Sequence, residues 1–385
     1  MGENSLAEPG ASESGLTSVR VELGPRSYDI WIGSHWMERF GGAIRPVAGT
    51  SPNAMVFTSP RIGALHYQPF ADSLASAGFT NVRRHDIPDG EDHKTLEEFA
   101  KGVRAIASCF PDTEVKPVVF NLGGGIVSDV GGFIAGTYWR GNGIRYVQVP
   151  TTLLACVDCS VGGKTGVNVD NVKNQAGLFC QPHLVLVDLA FLDTLDDAEM
   201  RSGLAEVIKY GMVCDVELFE LLEAHATEVL QRTKDVLHAI VTKCCRIKAQ
   251  IVEDDERDLS GNRMRLNFGH TIGHAIETAS NFAFRHGEAV AIGMLGATRL
   301  AVRLNLCEQA LQDRFASLIR RAGLPATAAG AKLDLEQVLS AMALDKKFAQ
   351  GVNCFVLPTR LGEARLERDV PDELVREAVG SCLVP

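Results

Sequence analysis

The sequence lacks any apolar run long enough to cross a bilayer, which argues against a membrane-spanning protein. It also lacks an excess of positive charge: its 385 residues carry a formal net charge of −10. A negative balance argues against nucleic acid or an anionic membrane surface as the partner. Hydrophobic residues make up 46% of the chain and charged residues 22%, which is typical of a globular protein. The length allows two domains with separate cores.

The sequence also lacks the features that would place its ten cysteines in disulfides. No signal peptide precedes them, they are scattered, and Cys244 and Cys245 are adjacent within a helical pattern. We therefore expect reduced thiols and a cytoplasmic protein. There is no internal repeat, and the only biased segment is residues 1–16, whose small polar composition predicts a disordered tail.

Strand and helix patterns alternate in the first half of the chain. A hairpin pattern over 17–23 and 28–32 comes first. Apolar strand patterns follow at 54–58, 81–87, 117–122, 144–149 and 184–188, with helical patterns up to residue 74 and over 96–106. This alternation predicts a Rossmann-like α/β domain over 17–195, with a mostly parallel sheet and a nucleotide-sized ligand at the strand C-termini.

The second half is dominated by amphipathic helical patterns. They cover 197–213, 215–230, 233–254, 270–279, 286–305, 307–322, 335–347 and 372–382, and only 354–357 interrupts them as a short strand. We expect an all-α domain over 196–385.

Glycine-rich and polar segments follow several of the predicted strands. Residues 123–125 are three glycines before a helix, so the backbone there could approach a phosphate at the helix N-terminus. Ser128 stands where the G-x-G-x-x-G motif has its third glycine, and a tight structural turn remains the alternative. The loop 88–94 could hold a ribose or adenine edge through Glu91 and Lys94, or could simply be a turn and a helix cap.

Residues 151–168 combine Asp158, Lys164 and a Gly-Gly step, and Lys173 and Asn174 follow. Lysines beside glycines suit an anionic group held close to the backbone. A solvated loop is the alternative. Further basic residues would form an anion site if they converge, which the sequence leaves open: Arg140, Lys248, Arg263, Lys346 and Lys347.

Three histidines lie within seventeen residues of a chain that has ten in all. His270 and His274 share one helix face, and His286 could open the next helix and point back at them. Two imidazoles from adjacent helices make a divalent-metal site once a carboxylate joins them. Glu206, in an apolar helical pattern one turn from Lys209, would supply it. The alternatives are a surface histidine pair and a surface ion pair. Thr271 replaces the Glu of H-E-x-x-H, which excludes that zinc-protease motif.

Together these segments resemble the 3-dehydroquinate synthases of the sugar-phosphate cyclase superfamily, from about residue 18 to 380. The family carries the same nine segments in the same order: PDGEDHK, LGGGIVSD, TYWRG, VPTTLLACVDCSVGGKTGVN, KN, GLAEVIKYG, LNFGHTIGHAIE, HGEA, and LDKK before FVLP. Each segment alone is a weak signal, but nine in order are highly specific.

The resemblance implies a role for each matching residue. The divalent metal, Zn²⁺ or Co²⁺, would be bound by Glu206, His270 and His286. NAD would contact Asp89, Gly90, Glu91, Lys94, Gly124, Gly125, Ile126, Val127, Ser128, Asp129, Thr151, Thr152, Leu154, Asp158, Lys164, Lys173, Phe191, Thr194, Leu195 and Glu199. The substrate would contact Arg140, Asp158, Lys164, Lys173, Asn174, Lys209, Lys248, Arg263, Asn267, His274 and Lys346. Among these, catalysis would rest on Lys164, Lys209, His274, Arg140 and Asn267.

The implied reaction converts 3-deoxy-D-arabino-heptulosonate 7-phosphate into 3-dehydroquinate and phosphate, within the shikimate pathway. NAD would oxidise a ring hydroxyl transiently, phosphate would leave by β-elimination, the hydride would return, and an intramolecular aldol would close the carbocycle. The metal would act as a Lewis acid, and His274 as a proton shuttle or phosphate partner. Arg140 would reach the phosphate across a dimer interface, which implies a homodimer.

The sequence departs from the family at three places. Ser59-Pro60-Arg61 replaces an Asp-x-Asn near the nucleotide, Cys159 replaces a serine, and residues 258–262 are one residue longer than usual. Among alternatives, a sedoheptulose 7-phosphate cyclase typically loses counterparts of His274 and Arg263, whereas an amino-dehydroquinate synthase would keep them. A metal-dependent polyol dehydrogenase would share the fold but release NADH, and a pseudoenzyme scaffold would not need the intact charged residues.

Overall fold

A computed structural model describes residues 15–112, 114–139, 143–170, 172–259, 261–343 and 353–384. Most of the predicted tail, together with Arg140, Lys346 and Lys347, lies outside the described residues. No helix within these ranges is long and apolar enough to cross a membrane.

The strands account for the first half of the chain and for one hairpin in the second. They are β1 Thr17–Val21, β2 Tyr28–Gly33, β3 Asn53–Thr58, β4 Asn81–Asp86, β5 Val118–Gly123, β6 Tyr146–Pro150, β7 Lys164–Val169, β8 Val172–Phe179, β9 Leu184–Asp188, β10 Cys354–Arg360 and β11 Glu363–Arg368. In the described residues seven of them form one sheet of order β1-β2-β9-β6-β5-β3-β4, parallel except at β1.

The helices divide between the two faces of this sheet and a separate layer. They are α1 Phe40–Ala48, α2 Pro60–Ser76, α3 Leu96–Cys109, α4 Gly125–Thr137, α5 Asp197–Val213, α6 Val216–Leu230, α7 Lys234–Asp254, α8 His270–Ala279, α9 His286–Arg303, α10 Gln309–Arg321, α11 Leu335–Ala343 and α12 Asp372–Leu383.

The sheet is buried on both faces, as the apolar strand patterns require. Every residue of β5, β6 and β9 is buried. Helices α1 and α2 pack on one face around Phe70 and Phe120, and α3 and α4 pack on the other around Phe57 and Ile134. The parallel strands therefore end together at one edge, where the loops that follow them meet.

The helices from α5 onward form a second core, continuous with the β1–β2 edge of the sheet. That core joins Val19, Tyr28 and Ile30 to the apolar residues of α5, α7, α8 and α9. Helix α5 is buried along almost its whole length, from Met200 to Val213. It thus fixes the helical layer against the sheet and places its own polar residues in the interior.

The expected fold class is confirmed: a mostly parallel α/β sheet is followed by a helical layer. Two hairpins were missed. Strands β7 and β8 pair antiparallel where the sequence patterns predicted no strand. In the second half β10 continues into β11, so that half is not purely helical. Both second strands, β8 and β11, lie mostly at the surface. Three consecutive polar residues in β8 and four charged residues in β11 leave little of the apolar alternation by which a strand is recognised.

The crossing of α8 and α9 depends on a close backbone approach at Gly293. A Cβ atom there would lie 2.1 Å from the carbonyl oxygen of Gly269 and 2.6 Å from the amide nitrogen of Gly273. Only glycine permits this distance, and the approach brings the first residues of α8 and α9, His270 and His286, to the same side of the crossing.

We expect Gly293→Ala to lower the free energy of unfolding by about 2 kcal/mol, because the added methyl group must push two packed backbones apart. Urea denaturation would measure the change. Gly42→Ala is the matched control: Gly42 is exposed within α1 and a Cβ there meets nothing within 4 Å. We expect the control to be neutral or to gain about 0.5 kcal/mol, and an equal loss in both variants would contradict the packing argument.

Candidate active site

The residues predicted to bind NAD lie along the edge where the parallel strands end. Loops carrying them follow β4 (Asp89, Gly90, Glu91, Lys94), β5 (Gly124 to Asp129), β6 (Thr151, Thr152, Leu154, Asp158) and β9 (Phe191, Thr194, Leu195), and Glu199 lies in the first turn of α5. Strand order makes these loops neighbours in space. The fold therefore brings these residues to one edge, whereas Lys164 and Lys173 of the predicted set lie on the β7–β8 hairpin.

The glycine segment suits an anionic group such as a pyrophosphate. Helix α4 begins at Gly125, so its unpaired N–H groups and positive dipole end face the strand edge. A Cβ atom at Gly124 would lie 3.1 Å from the Thr152 side chain, so the two neighbouring loops leave no room for a larger residue. These features fit a dinucleotide phosphate held close to the backbone.

Lys94 links this edge to the β7–β8 hairpin. Its buried ammonium lies 2.5 Å from the Asp129 carboxylate and 2.5 Å from Asn174 Oδ1. Burial opposes its charge, but Asp129 and Glu91 outweigh burial and raise the pKa of Lys94. Asn168 donates to Glu91 Oε1 at 2.9 Å and accepts from the Asn174 backbone at 2.9 Å. The loop after β4 and the hairpin are therefore bound together by charged and amide groups.

Asp158 forms the next charged pair. Lys248 donates to its carboxylate at 2.6 Å and to its backbone oxygen at 2.5 Å, and the Tyr210 hydroxyl donates to the same carboxylate at 2.7 Å. Burial would raise the pKa of Asp158, but Lys248 and Lys209 outweigh burial and hold it well below its usual range. Asp158 is therefore ionised and ties the loop after β6 to α5 and α7.

Lys164 and Arg263 lie beside this pair. The half-exposed ammonium of Lys164 is 2.6 Å from the Asp258 carboxylate. Burial, together with the nearby charge of Arg263, lowers the pKa of Lys164. Arg263 is buried and donates from Nη1 to the Glu256 carbonyl at 3.0 Å, while its Nε has no hydrogen-bond partner among the described residues. A guanidinium with spare donors in a cationic neighbourhood suits a carboxylate or phosphate.

Glu206, His270 and His286 converge, and we call them the Glu206 cluster. Glu206 comes from the buried α5, while His270 and His286 are the first residues of α8 and α9. Glu206 Oε1 lies 3.7 Å from His270 Nε2 and 3.5 Å from His286 Nε2. Candidate ligand atoms of the three residues all lie within 4.8 Å of one another.

Local sequence explains why both histidines sit at helix starts. Gly269 adopts a φ of +78°, a conformation that glycine favours, and α8 begins with the next residue. Glu288 accepts from the Arg285 backbone at 2.9 Å, which caps α9 just before His286. The two rings are thereby directed at α5, with centroids 5.4 Å apart.

The Glu206 cluster fits a divalent metal on two observations. Glu206 Oε1 is buried and accepts no regular hydrogen bond from the described residues, while Oε2 pairs with the Lys209 ammonium. Each ring also uses its other nitrogen elsewhere: His270 Nδ1 lies 3.1 Å from the Phe268 carbonyl and His286 Nδ1 lies 3.4 Å from Glu277. Both Nε2 atoms therefore face Glu206, as ligands held by outer partners do.

The charges around the cluster favour the ionised carboxylate. Burial alone would raise the pKa of Glu206, but Lys209, His270 and His286 hold it well below its usual range. Lys209 is equally buried and forms an ion pair with Glu206, and the same pair raises the pKa of Lys209 against the effect of burial. The predicted one-turn ion pair is therefore present, but in the interior rather than on the surface.

The remaining predicted substrate residues lie around this cluster. The His274 ring centroid is 5.2 Å from that of His270, and Asn267 ends the turn before α8. Lys173, on β8, pairs with Glu277 at 3.2 Å. Three residues of these networks were missed from the sequence: Glu277, Asp258 and Tyr210. Glu277 alone had a local signal, because it lies three and seven residues after two histidines on one helix face.

Two departures from the family pattern have structural consequences. Ser59 caps α2, and Arg61 makes a two-pronged ion pair with Asp196, at 2.5 and 2.8 Å. Arg61 therefore ties the loop after β3 to the start of α5. Cys159 lies near Gly125, where a Cβ atom would be 3.0 Å from its sulfur, and burial raises the pKa of the Cys159 thiol above its usual range.

We expect Asp158→Asn to lower the free energy of unfolding at pH 7 by about 3 kcal/mol, because it leaves Lys248 buried without its counter-ion. The loss should shrink as the pH falls below about 3.9, the pKa of an unfolded aspartate, since the wild type then loses the same contribution. Urea denaturation across this pH range would measure it. Asp254→Asn, which removes an exposed carboxylate from the same helix as Lys248, is the control. Equal stability of both variants would contradict a buried ion pair.

Comparison with known proteins places these features in one family. A family model described as 3-dehydroquinate synthase N-terminal matches residues 84–202, and one described as 3-dehydroquinate synthase C-terminal matches residues 203–348. The 3-dehydroquinate synthase of Picosynechococcus sp. is 42% identical over 370 residues, covering 95% of this chain and 99% of that protein.

Solved structures of related cyclases share the fold. A 2-deoxy-scyllo-inosose synthase complexed with carbaglucose-6-phosphate, NAD+ and Co2+ superposes with a TM-score of 0.83 at 23% identity, covering 94% of this chain and 99% of that one. The 2-epi-5-epi-valiolone synthase of Streptomyces hygroscopicus with NAD+ and Zn2+ bound has a TM-score of 0.78 at 27% identity, covering 94% of this chain and 97% of that one.

Proposed function

The chain belongs to the 3-dehydroquinate synthase family, and on that premise we propose that it converts 3-deoxy-D-arabino-heptulosonate 7-phosphate into 3-dehydroquinate and phosphate. The observation that carries the proposal is the Glu206 cluster. Glu206 pairs with Lys209, whose charge also acts on Asp158, the partner of Lys248. A metal site, a cationic pocket and a dinucleotide edge are what a phosphate-eliminating, NAD-dependent cyclase needs.

We propose NAD and one divalent ion, Zn²⁺ or Co²⁺, as cofactors. The strand-edge loops, with the N-terminus of α4, would hold NAD, and Glu206, His270 and His286 would hold the metal. When bound, NAD accepts and returns a hydride while the metal polarises substrate oxygen atoms. The α/β part, to residue 195, would thus serve the cofactor, and the helical part, from residue 196, the metal.

The chain's lysines would bind the substrate by exchanging partners. Lys164, Lys173, Lys209 and Lys248 each pair with a carboxylate of this chain. Substrate phosphate and carboxylate groups would replace or share those partners, while the fixed lysine positions orient the leaving phosphate. Arg140 and Lys346, outside the described residues, are proposed as further phosphate contacts from the family pattern.

Proton movement would use groups near the Glu206 cluster. The His274 ring lies beside the cluster, with its centroid 5.2 Å from that of His270 and 5.8 Å from that of His286. Candidate ligand atoms of His274, Glu277 and His286 lie within 4.8 Å of one another. An imidazole at this position could pass a proton to or from the substrate near neutral pH. Asn267 and Asn174 would orient substrate oxygens through their side-chain amides. The ammonium of Lys209 would stabilise negative charge that develops on the oxygen of the reacting hydroxyl.

Arg263 favours a substrate that carries a carboxylate. Its buried guanidinium has an Nε donor without a hydrogen-bond partner among the described residues. Sedoheptulose 7-phosphate cyclases typically lack counterparts of both Arg263 and His274. An amino-dehydroquinate synthase would keep both residues and is the second candidate. A homodimer in the cytoplasm is proposed from the family pattern, with Arg140 reaching the partner's site.

We expect catalytic amounts of NAD, with Zn²⁺ or Co²⁺, to support release of many equivalents of phosphate from 3-deoxy-D-arabino-heptulosonate 7-phosphate without NADH accumulation. A coupled phosphate assay with absorbance recorded at the NADH band would measure both. Stoichiometric NADH formation would instead indicate a dehydrogenase. Phosphate release only from the amino analogue or from sedoheptulose 7-phosphate would assign a different substrate to the same mechanism.

We expect His270→Ala to weaken Co²⁺ binding by at least about 100-fold, because loss of an outer partner alone typically costs 10- to 100-fold. Competition with a chromophoric chelator would measure the dissociation constant. His225→Ala is the control, since His225 is a part-exposed histidine of α6 that pairs with Glu228. Co²⁺ binding by His270→Ala at the wild-type affinity would exclude the ligand assignment.

A further inference from the structure

We propose that Glu277 is a positioning residue that fixes the orientation of His286 in the metal site and links that site to the β7–β8 hairpin through Lys173. The inference rests on the proposed metal role of the Glu206 cluster. It assigns a role to a buried carboxylate whose charged partners are His286 and Lys173.

Two carboxylates face opposite nitrogens of the same imidazole. Glu206 Oε1 lies 3.5 Å from His286 Nε2, and Glu277 Oε2 lies 3.4 Å from His286 Nδ1. Glu277 comes from the last turns of α8 and is buried, with 3% of its side chain exposed. A buried carboxylate at this place must be balanced by charge or hydrogen bonds, and His286 provides one such partner.

The arrangement selects one tautomer of His286. If Nδ1 carries the hydrogen and donates it to Glu277, the lone pair of Nε2 faces Glu206 and is available to a metal ion. His270 is oriented in the same way by a different acceptor, because its Nδ1 lies 3.1 Å from the Phe268 carbonyl oxygen. Each histidine ligand thus has its own outer partner, a backbone carbonyl for one and a carboxylate for the other.

Glu277 could instead be a ligand itself, since His274, Glu277 and His286 also offer converging ligand atoms. Its second oxygen argues against this. Oε1 lies 3.2 Å from the ammonium of Lys173, so a fixed cation already neutralises the carboxylate on that side. A divalent ion there would have to displace the ammonium or bind beside it. The geometry therefore assigns one metal ion per chain, held on the Nε2 side.

Lys173 extends the link to the strand-edge half of the molecule. It belongs to β8, whose hairpin also supplies Asn168 and Asn174 to the Lys94 network. Its ammonium additionally lies 5.1 Å from the centre of the Phe282 ring, in the turn between α8 and α9. The hairpin thus contacts both the loop after β4 and the carboxylate that holds His286, so Glu277 couples the position of the hairpin to that of a metal ligand.

The test compares Glu277→Gln, Glu277→Ala and the wild type in Co²⁺ binding. We expect the dissociation constant for Co²⁺ to be about 10- to 100-fold larger in the alanine variant. We expect a smaller increase in the glutamine variant, because its amide oxygen can still accept a hydrogen bond from Nδ1. The absorption spectrum of bound Co²⁺ should shift in both variants, because a ligand that turns changes the geometry at the metal. Bound Co²⁺ at saturation should remain one ion per chain in all three.

Glu288→Gln is the matched control, because it removes a negative charge two residues from His286 while the glutamine amide oxygen can still accept the Arg285 backbone hydrogen bond that caps α9. We expect its Co²⁺ affinity and spectrum to stay at the wild-type values. Each variant is compared only in preparations that keep the wild-type urea transition, and Glu277→Asp provides a second substitution if glutamine or alanine prevents folding.

Three results would overturn the proposal. Wild-type affinity and spectrum in both Glu277 variants would show that the carboxylate does not orient the ligand. Two ions per chain in the wild type and one in the variants would make Glu277 a ligand of a second metal. Equal losses in Glu288→Gln would reduce the effect to the loss of a negative charge near His286. Failure of the metal site itself is separate, because it would appear in His270→Ala with Glu277 intact.

Discussion

The buried carboxylate of Glu206 is the constraint on which the rest of the structure depends. A charge in the interior is tolerated only when it is paired, and Lys209 and two imidazoles are brought to it from three helices. This requires α5 to be buried almost throughout and α8 and α9 to cross at backbone distance, as Gly293 permits. The helical packing is therefore inseparable from the chemistry of the site.

A second pattern is that the lysines of the site are already neutralised by the chain. Lys94, Lys164, Lys173, Lys209 and Lys248 pair with Asp129, Asp258, Glu277, Glu206 and Asp158. Without these carboxylates, the positive charges of the neighbouring lysines would repel one another during folding. The carboxylates hold the lysines in place, so the fold fixes the positions of these charges before any ligand binds.

The interior pairs also join parts of the molecule. Asp158 connects the loop after β6 to α7, and Glu277 connects α8 to the β7–β8 hairpin. The half-exposed pair of Arg61 and Asp196 joins the loop after β3 to the start of α5 at the surface. The Asp158 and Glu277 pairs thus link the strand-edge loops and the β7–β8 hairpin to the helical layer through partly or fully buried charges, which attract each other more strongly than charges at the surface. A change at one of these sites would reach the other through a short series of named contacts.

The sequence by itself determined the succession of strands and helices along the chain, the burial of the central strands, and the Glu206–Lys209 and His270–His274 spacings. Each of these is a local pattern within one element. It missed the hairpin strands β8 and β11, because runs of polar and charged residues in them leave little apolar alternation. Only the tertiary structure decided which carboxylate meets which lysine: partners lie 94 residues apart for Lys164–Asp258, 104 for Lys173–Glu277 and 90 for Lys248–Asp158. Such pairs depend on helix crossings and on strand order, which no local spacing encodes.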